Sequence, residues 1–101
     1  MKIINKKCVV RCNRAGVFFG TIKAKNDTPA GVEVEIDNCR RLWYWDGAAS
    51  LSQLATEGVK APSRCKFTVN VPQMLVTQVI EIIPATEAAI KSIEEVVAWK
   101  R

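Results

Sequence analysis

The sequence predicts an α+β domain that is mostly β: a small, strongly bent antiparallel sheet or partly open barrel of about six strands, with a short middle helix and a C-terminal helix. Three observations carry this expectation. Apolar and polar residues alternate cleanly at Val32, Val34 and Ile36 against Glu33, Glu35 and Asp37, the signature of a strand with one buried and one wet face. Similar short segments recur between turn-forming clusters, an order that suits a small bent sheet or barrel. Helical spacing is confined to one short stretch in the middle and one at the end. The 101 residues are read as a single domain, because a chain of this length buries only one modest core.

In chain order, Cys8–Arg11 reads as a first strand and Asn13–Gly16 as a turn. Val17–Lys23 follows, bulky on both faces at its start, with Gly20 marking a bulge or a close backbone approach. Asn26–Gly31 has loop composition throughout. The alternating strand Val32–Asp37 then leads through a short Asn38-Cys39 turn into Arg40–Trp45, a strand by its aromatic content. Asp46-Gly47 stops it, and Asp46 or Ser50 caps a short helix with Gln53 as capping-box partner. Leu51, Leu54 and Ala55 form that helix's apolar stripe, and Gly58 is placed to end it. Pro62-Ser63 marks a loop. Lys66–Val71 alternates as a strand, Leu75–Ile83 is a β-branched strand ended by Pro84, and Thr86 caps the last helix. Ala89, Ile90, Ile93, Val96 and Val97 form one apolar helical face.

Charge is unevenly distributed around a net value of +5. Residues 1–25 hold Lys2, Lys6, Lys7, Arg11, Arg14, Lys23 and Lys25 and no acid, whereas 26–58 hold six acids against Arg40 and Arg41. A basic first quarter attracts phosphate-bearing partners; a solvated strand face is the plainer alternative. No stretch is apolar for long enough to span a membrane, and the charged start does not resemble a secretory signal. Cys8, Cys12, Cys39 and Cys65 are therefore expected to be free, small, buried thiols in a reducing cytosol.

Histidine is absent, which removes the commonest general base and transition-metal ligand. The carboxylates of the alternating strand read as solvated, and Glu81, which interrupts an apolar strand, reads as an exposed edge position. Cysteine spacing fits no zinc pattern, and no phosphate-binding glycine loop is present. The expectation is binding without catalysis, cofactor or metal.

The dense segment RRLWYWDGAASLS, residues 40–52, is the candidate site. On a strand, Arg41, Trp43 and Trp45 share one face and Arg40, Leu42 and Tyr44 the other. One set must pack inside while the other meets a ligand, a partner chain or a covering element. An arginine beside exposed indoles suits a flat base carrying a phosphate. On that reading Arg41 holds phosphate, Trp43 and Trp45 stack on the base, and Arg40, Arg64 or Lys66 supply further charge. The alternative is that the indoles anchor the core or a homomeric interface, with Arg41 paired to Asp46 or another acid.

This R-R-L-W-Y-W-D-G-A-A-S-L-S string lies within Arg40–Val59. With Pro62-x-x-Cys65-Lys66-Phe67, Val79-Ile80-Glu81-Ile82-Ile83-Pro84-x-Thr86-x-x-Ala89-x-x-Ser92-Ile93 and Gly16-Val17-Phe18-x-Gly20, it resembles a family of small tailed-phage and prophage proteins, notably of gut bacteria. The resemblance implies no catalytic residue. It implies a phage product acting in the cytoplasm of an infected bacterial host. The expected function is a homo-oligomeric, non-enzymatic protein that sequesters a small nucleotide-like ligand, such as an immune signal of the host, to counter host defence. The alternatives are a protein-binding inhibitor of a host factor or a structural phage component, and a small RNA- or DNA-binding domain. The last is disfavoured because Glu33, Glu35 and Asp37 repel a phosphate backbone.

Overall fold

Two tight turns organise the N-terminal half. The computed structural model describes residues 1–101. Strand β1 (Lys7–Cys12) turns through Asn13–Ala15 into β2 (Gly16–Thr28), which turns through Pro29-Ala30 into β3 (Gly31–Tyr44). In the second turn the Thr28 hydroxyl accepts from the Ala30 N–H and donates to the Gly31 carbonyl, while Gly31 takes φ 124°. The expected loop at 26–31 therefore shrinks to two residues, and Asn26 and Asp27 pair with Glu33 and Val32. Helix α1 (Leu51–Glu57), a 3-10 turn (Pro62–Arg64), the two-residue β4 (Lys66–Phe67), the long β5 (Val71–Pro84) and helix α2 (Glu87–Glu95) complete the chain.

Five strands form where six segments were expected, because 32–37 and 40–45 fuse into β3. Asn38, at φ 50°, bulges instead of turning, and the register with β2 slips opposite it, from Phe19↔Arg40 to Thr21↔Asp37. Gly20 lies in this slip. A Cβ there would sit 2.5 Å from Ile36 Cγ2 and 2.9 Å from the Asp37 carbonyl oxygen, so glycine is needed for the close approach. The expected strand 66–71 keeps only its first two residues, and Val71 and Pro72 belong to β5.

The sheet closes on itself. β1 pairs with both β2 and β5, β2 pairs with β3, and β3 pairs with β5, all antiparallel; β4 adds to the far end of β3. Bulges make this a ring, not a regular barrel. One of them is at Gln78, φ 54°, whose carbonyl accepts from the Asn13 N–H at 2.9 Å. Exposed Glu81 lies opposite Arg11 in the register, a complementary cross-strand pair.

Alternation sorts the apolar residues into two cores. Cys8, Val10, Cys12, Phe18, Ile22, Val34, Ile36, Cys39, Val76 and Val79 fill the ring. Val9, Phe19, Leu42 and Phe67 point the other way and pack under Leu54, Ala55, Ile93 and Val96 of the helical layer. Ser50 caps α1 by accepting from the Gln53 N–H, and Gln53 Oε1 reaches back to the Ala49 N–H. Thr86 caps α2 through the Ala89 N–H. Gly58 ends α1 at φ 76°, where a Cβ would collide with Ser92 of α2 at 2.4 Å. Val97 departs from the expected helical face: α2 stops at Glu95 and leaves it 84% exposed.

Arg40 joins the layers. Its guanidinium, on a residue only 4% exposed, donates from Nε to Thr68 O (3.0 Å), from Nη2 to Phe67 O (3.1 Å), and from Nη1 to Ile93 O (3.2 Å) and Val96 O (2.9 Å). No carboxylate pairs with it; the C-terminal carbonyls of α2 supply the negative pole. Arg40 is thus removed from the candidate ligand-binding set, because all its hydrogen-bonding reach is spent inside. Arg40→Ala should cost about 3 kcal/mol or more in chemical denaturation, since several buried carbonyls lose a charged donor. A loss below about 1 kcal/mol would show that these bonds are dispensable.

All four cysteines are free and buried. Burial pushes the thiols of Cys8 and Cys12 up from 9.0 to about 11 and that of Cys39 to about 12, with Cys65 raised as well. Unfolded thiols ionise near 9 while the native ones stay protonated. Stability should therefore be full below about pH 9 and fall as pH rises from there toward 12, readable as a declining melting temperature. A thiol reagent at pH 8 should label none of them before unfolding.

Candidate ligand-binding face

The candidate site forms where β3 outruns β2. The last β2–β3 pair is Phe18↔Arg41; beyond it Leu42 and Tyr44 pair instead with Phe67 and Lys66 of β4. The strands diverge, and a groove of ≈ 450 Å³ opens between them, lined by Ala15, Gly16, Val17, Arg41, Leu42 and Trp43.

Arg41 lies along this groove with its guanidinium carbon 4.8 Å from the centre of the Phe18 ring, at the mouth of the β-ring. Its main chain is pinned on both sides by Thr68: the Arg41 N–H donates to Thr68 Oγ1 at 2.9 Å, and the Arg41 carbonyl accepts from the Thr68 N–H at 3.0 Å. Its side chain makes no ion pair. The expected alternative pairing with Asp46 does not form; Asp46 takes Arg64 at 3.5 Å. The positive charge of Arg41 also reaches the ring interior, where it opposes the upward shift of the Cys12 and Cys39 thiols.

Trp43 follows on the same strand face, two residues or about 7 Å along, and is 60% exposed. Its indole meets that of Trp99 with centroids 5.6 Å apart and planes inclined at 39°. Lys66 Nζ lies 5.6 Å from the Trp43 ring and 5.4 Å from the Trp99 ring, within cation–π range of both. The face therefore gathers two unpaired cations, two exposed indoles and an open groove.

Of the residues expected here, Arg41, Trp43 and Lys66 come together. Arg40 is buried behind them, and Arg64 is held by Asp46 at the 3-10 turn. Trp45 does not share the face of Trp43: β3 ends at Tyr44, strand alternation ends with it, and Trp45 packs half-buried against the helix-side core. Trp99 was not among the expected residues. Its neighbours Lys100 and Arg101 give it the look of a polar tail, and only the hydrogen bond from its N–H to Phe67 O (2.8 Å) brings it to β4.

Other depressions lack this combination. One of ≈ 390 Å³ is mostly apolar, lined by Met1, Ile3, Val32, Val79, Ile80 and Ile82 together with Lys25 and Glu81. Another of ≈ 430 Å³ sets Lys6 and Lys7 beside Glu87, and Lys7 is already bound to Glu94 at 2.6 Å. No group of three or more His, Cys, Asp or Glu side chains converges as a metal site would require, and no helix is long and apolar enough to cross a membrane. Because Arg41 and Trp43 are largely solvated, Arg41→Ala and Trp43→Ala should each change folding stability by less than about 1 kcal/mol. A larger loss in thermal or chemical unfolding would make them part of the framework instead.

Comparison with curated proteins and with solved structures returns no significant match. One family does match, described as a domain of unknown function, DUF6948, over residues 5–93. That span takes in the whole β-ring, α1, β4 and most of α2, together with Arg41, Trp43 and Lys66, while Trp99 lies just beyond it. On this match the chain belongs to the DUF6948 family.

Proposed function

We propose that this chain is a non-enzymatic binding protein that holds a small nucleotide-like ligand on the Arg41–Trp43 face. The observation that carries the reading is an arginine with no carboxylate partner beside an exposed indole at an open groove. A base stacked on Trp43 places a phosphate toward Arg41, where a planar guanidinium offers two parallel donors. Lys66 adds a second positive charge at the indole edge. In the phage setting that the sequence suggests, such a protein sequesters a host signal molecule in the infected bacterial cytoplasm. Homo-oligomer formation deepens so shallow a groove by sharing its walls.

A second reading is favoured by the exposed indole pair Trp43 and Trp99, with exposed Tyr44 next to Trp43 in the chain. Tryptophan and tyrosine are enriched at interface hot spots, and this patch suits a host protein or another phage component. Binding to RNA or DNA is weaker, since exposed Glu35 and half-exposed Glu33 and Asp37 lie on the same strand as the site.

A nucleotide panel in a thermal-shift assay should raise the melting temperature of the wild type. Arg41→Ala and Trp43→Ala should abolish that rise while melting normally without ligand. Stabilisation by no nucleotide, together with reproducible recovery of one host protein that Trp43→Ala fails to retain, would transfer the assignment to the second reading. Native mass spectrometry adds the subunit number and any retained mass.

A further inference from the structure

We propose, building on the nucleotide-binding reading above, that Trp99 is a placeholder: its indole occupies the face of Trp43 on which the base stacks, and it leaves when the ligand arrives. The centroids of the two indoles are 5.6 Å apart. A flat ring inserted between them needs van der Waals spacing on both of its sides, about 7 Å in all. No base fits between the indoles as they stand, so a base that stacks on this face of Trp43 takes the position of Trp99.

The attachment of Trp99 suits such an exchange. Val96 is buried and its carbonyl is bound by Arg40, which anchors the chain up to that residue. Val97 beyond it is 84% exposed, and Trp99 itself is 45% exposed. Past the anchor, one main-chain hydrogen bond to Phe67 O, the tilted contact with Trp43 and the ammonium of Lys66 hold the indole in place. Phe67 O keeps its bond from Arg40 when Trp99 departs, so no buried acceptor is orphaned. Lys66 Nζ lies within cation–π range of both rings and remains at the site to meet the incoming anion. Trp99 thus keeps an apolar face covered in the empty protein at the expense of affinity.

The test compares wild type, Trp99→Ala and Trp43→Ala, with adenosine 5′-monophosphate as the probe. Calorimetry should find Trp99→Ala binding about threefold to tenfold tighter than wild type, the equivalent of one aromatic contact no longer displaced. Trp43→Ala should not bind. In the wild type, the Trp99 amide should exchange hydrogen faster at saturating probe, because its bond to Phe67 O is lost. Weaker binding by Trp99→Ala, or a Trp99 amide more protected with probe, would make Trp99 a wall of the site; that overturns the placeholder and leaves the nucleotide reading intact. Absence of binding by both the wild type and Trp99→Ala would overturn both.

Discussion

The buried guanidinium of Arg40 is the interaction on which the rest of the arrangement depends. Its four acceptors come from three places: Phe67 at β4, Thr68 just after it, and Ile93 and Val96 at the end of α2. One side chain from β3 therefore ties the sheet extension to the helical layer and fixes where the C-terminal segment leaves α2. Phe67 O accepts from both Arg40 and the Trp99 N–H, so the same node positions an indole of the candidate face. A buried cation without a carboxylate is costly unless its donors are satisfied. Here the helix dipole and the carbonyls satisfy it, and its positive charge remains uncancelled directly behind Arg41.

The ring imposes a second constraint, which is space. Four strands curling closed leave a narrow interior, and the residues that fill it are mostly small or β-branched: three cysteines, four valines and two isoleucines around Phe18. Curvature is concentrated at Asn38 and Gln78, both at positive φ, and at Gly20, where strand and side chain come too close for a Cβ. The thiols behave as compact apolar groups under these conditions, since burial disfavours their ionised form.

The groove opens where β2 and β3 stop pairing: β2 continues along β1 to Gly16, while β3 runs on past Arg41 to pair with β4. The face that results is rich in cations because the acids of β3 lie at its other end and Asp46 is occupied by Arg64. This charge segregation along one strand is what distinguishes the Arg41–Trp43 groove from the depression at Lys6 and Lys7, where Glu87 lines the same hollow and Lys7 is bound to Glu94.

Local chemistry decided a good deal by itself. Period-two alternation identified the wet and dry faces of residues 32–37; Ser50, Gly58 and Thr86 marked helix ends through hydrogen bonds within a few residues; and the Arg40–Trp45 segment announced two chemically distinct faces. These signals are legible because each is satisfied by near neighbours in the chain. The tertiary structure decided what depends on distant partners: that Asn38 bulges instead of turning, that the sheet closes into a ring, and that Arg40 rather than Arg41 faces inward. It also separated Trp45 from Trp43 and brought in Trp99, 56 residues away from Trp43, to complete the aromatic pair. A guanidinium fits either water or a shell of carbonyls, and an indole fits either a core or a ligand. Only the three-dimensional placement of acceptors and neighbouring strands selects between them.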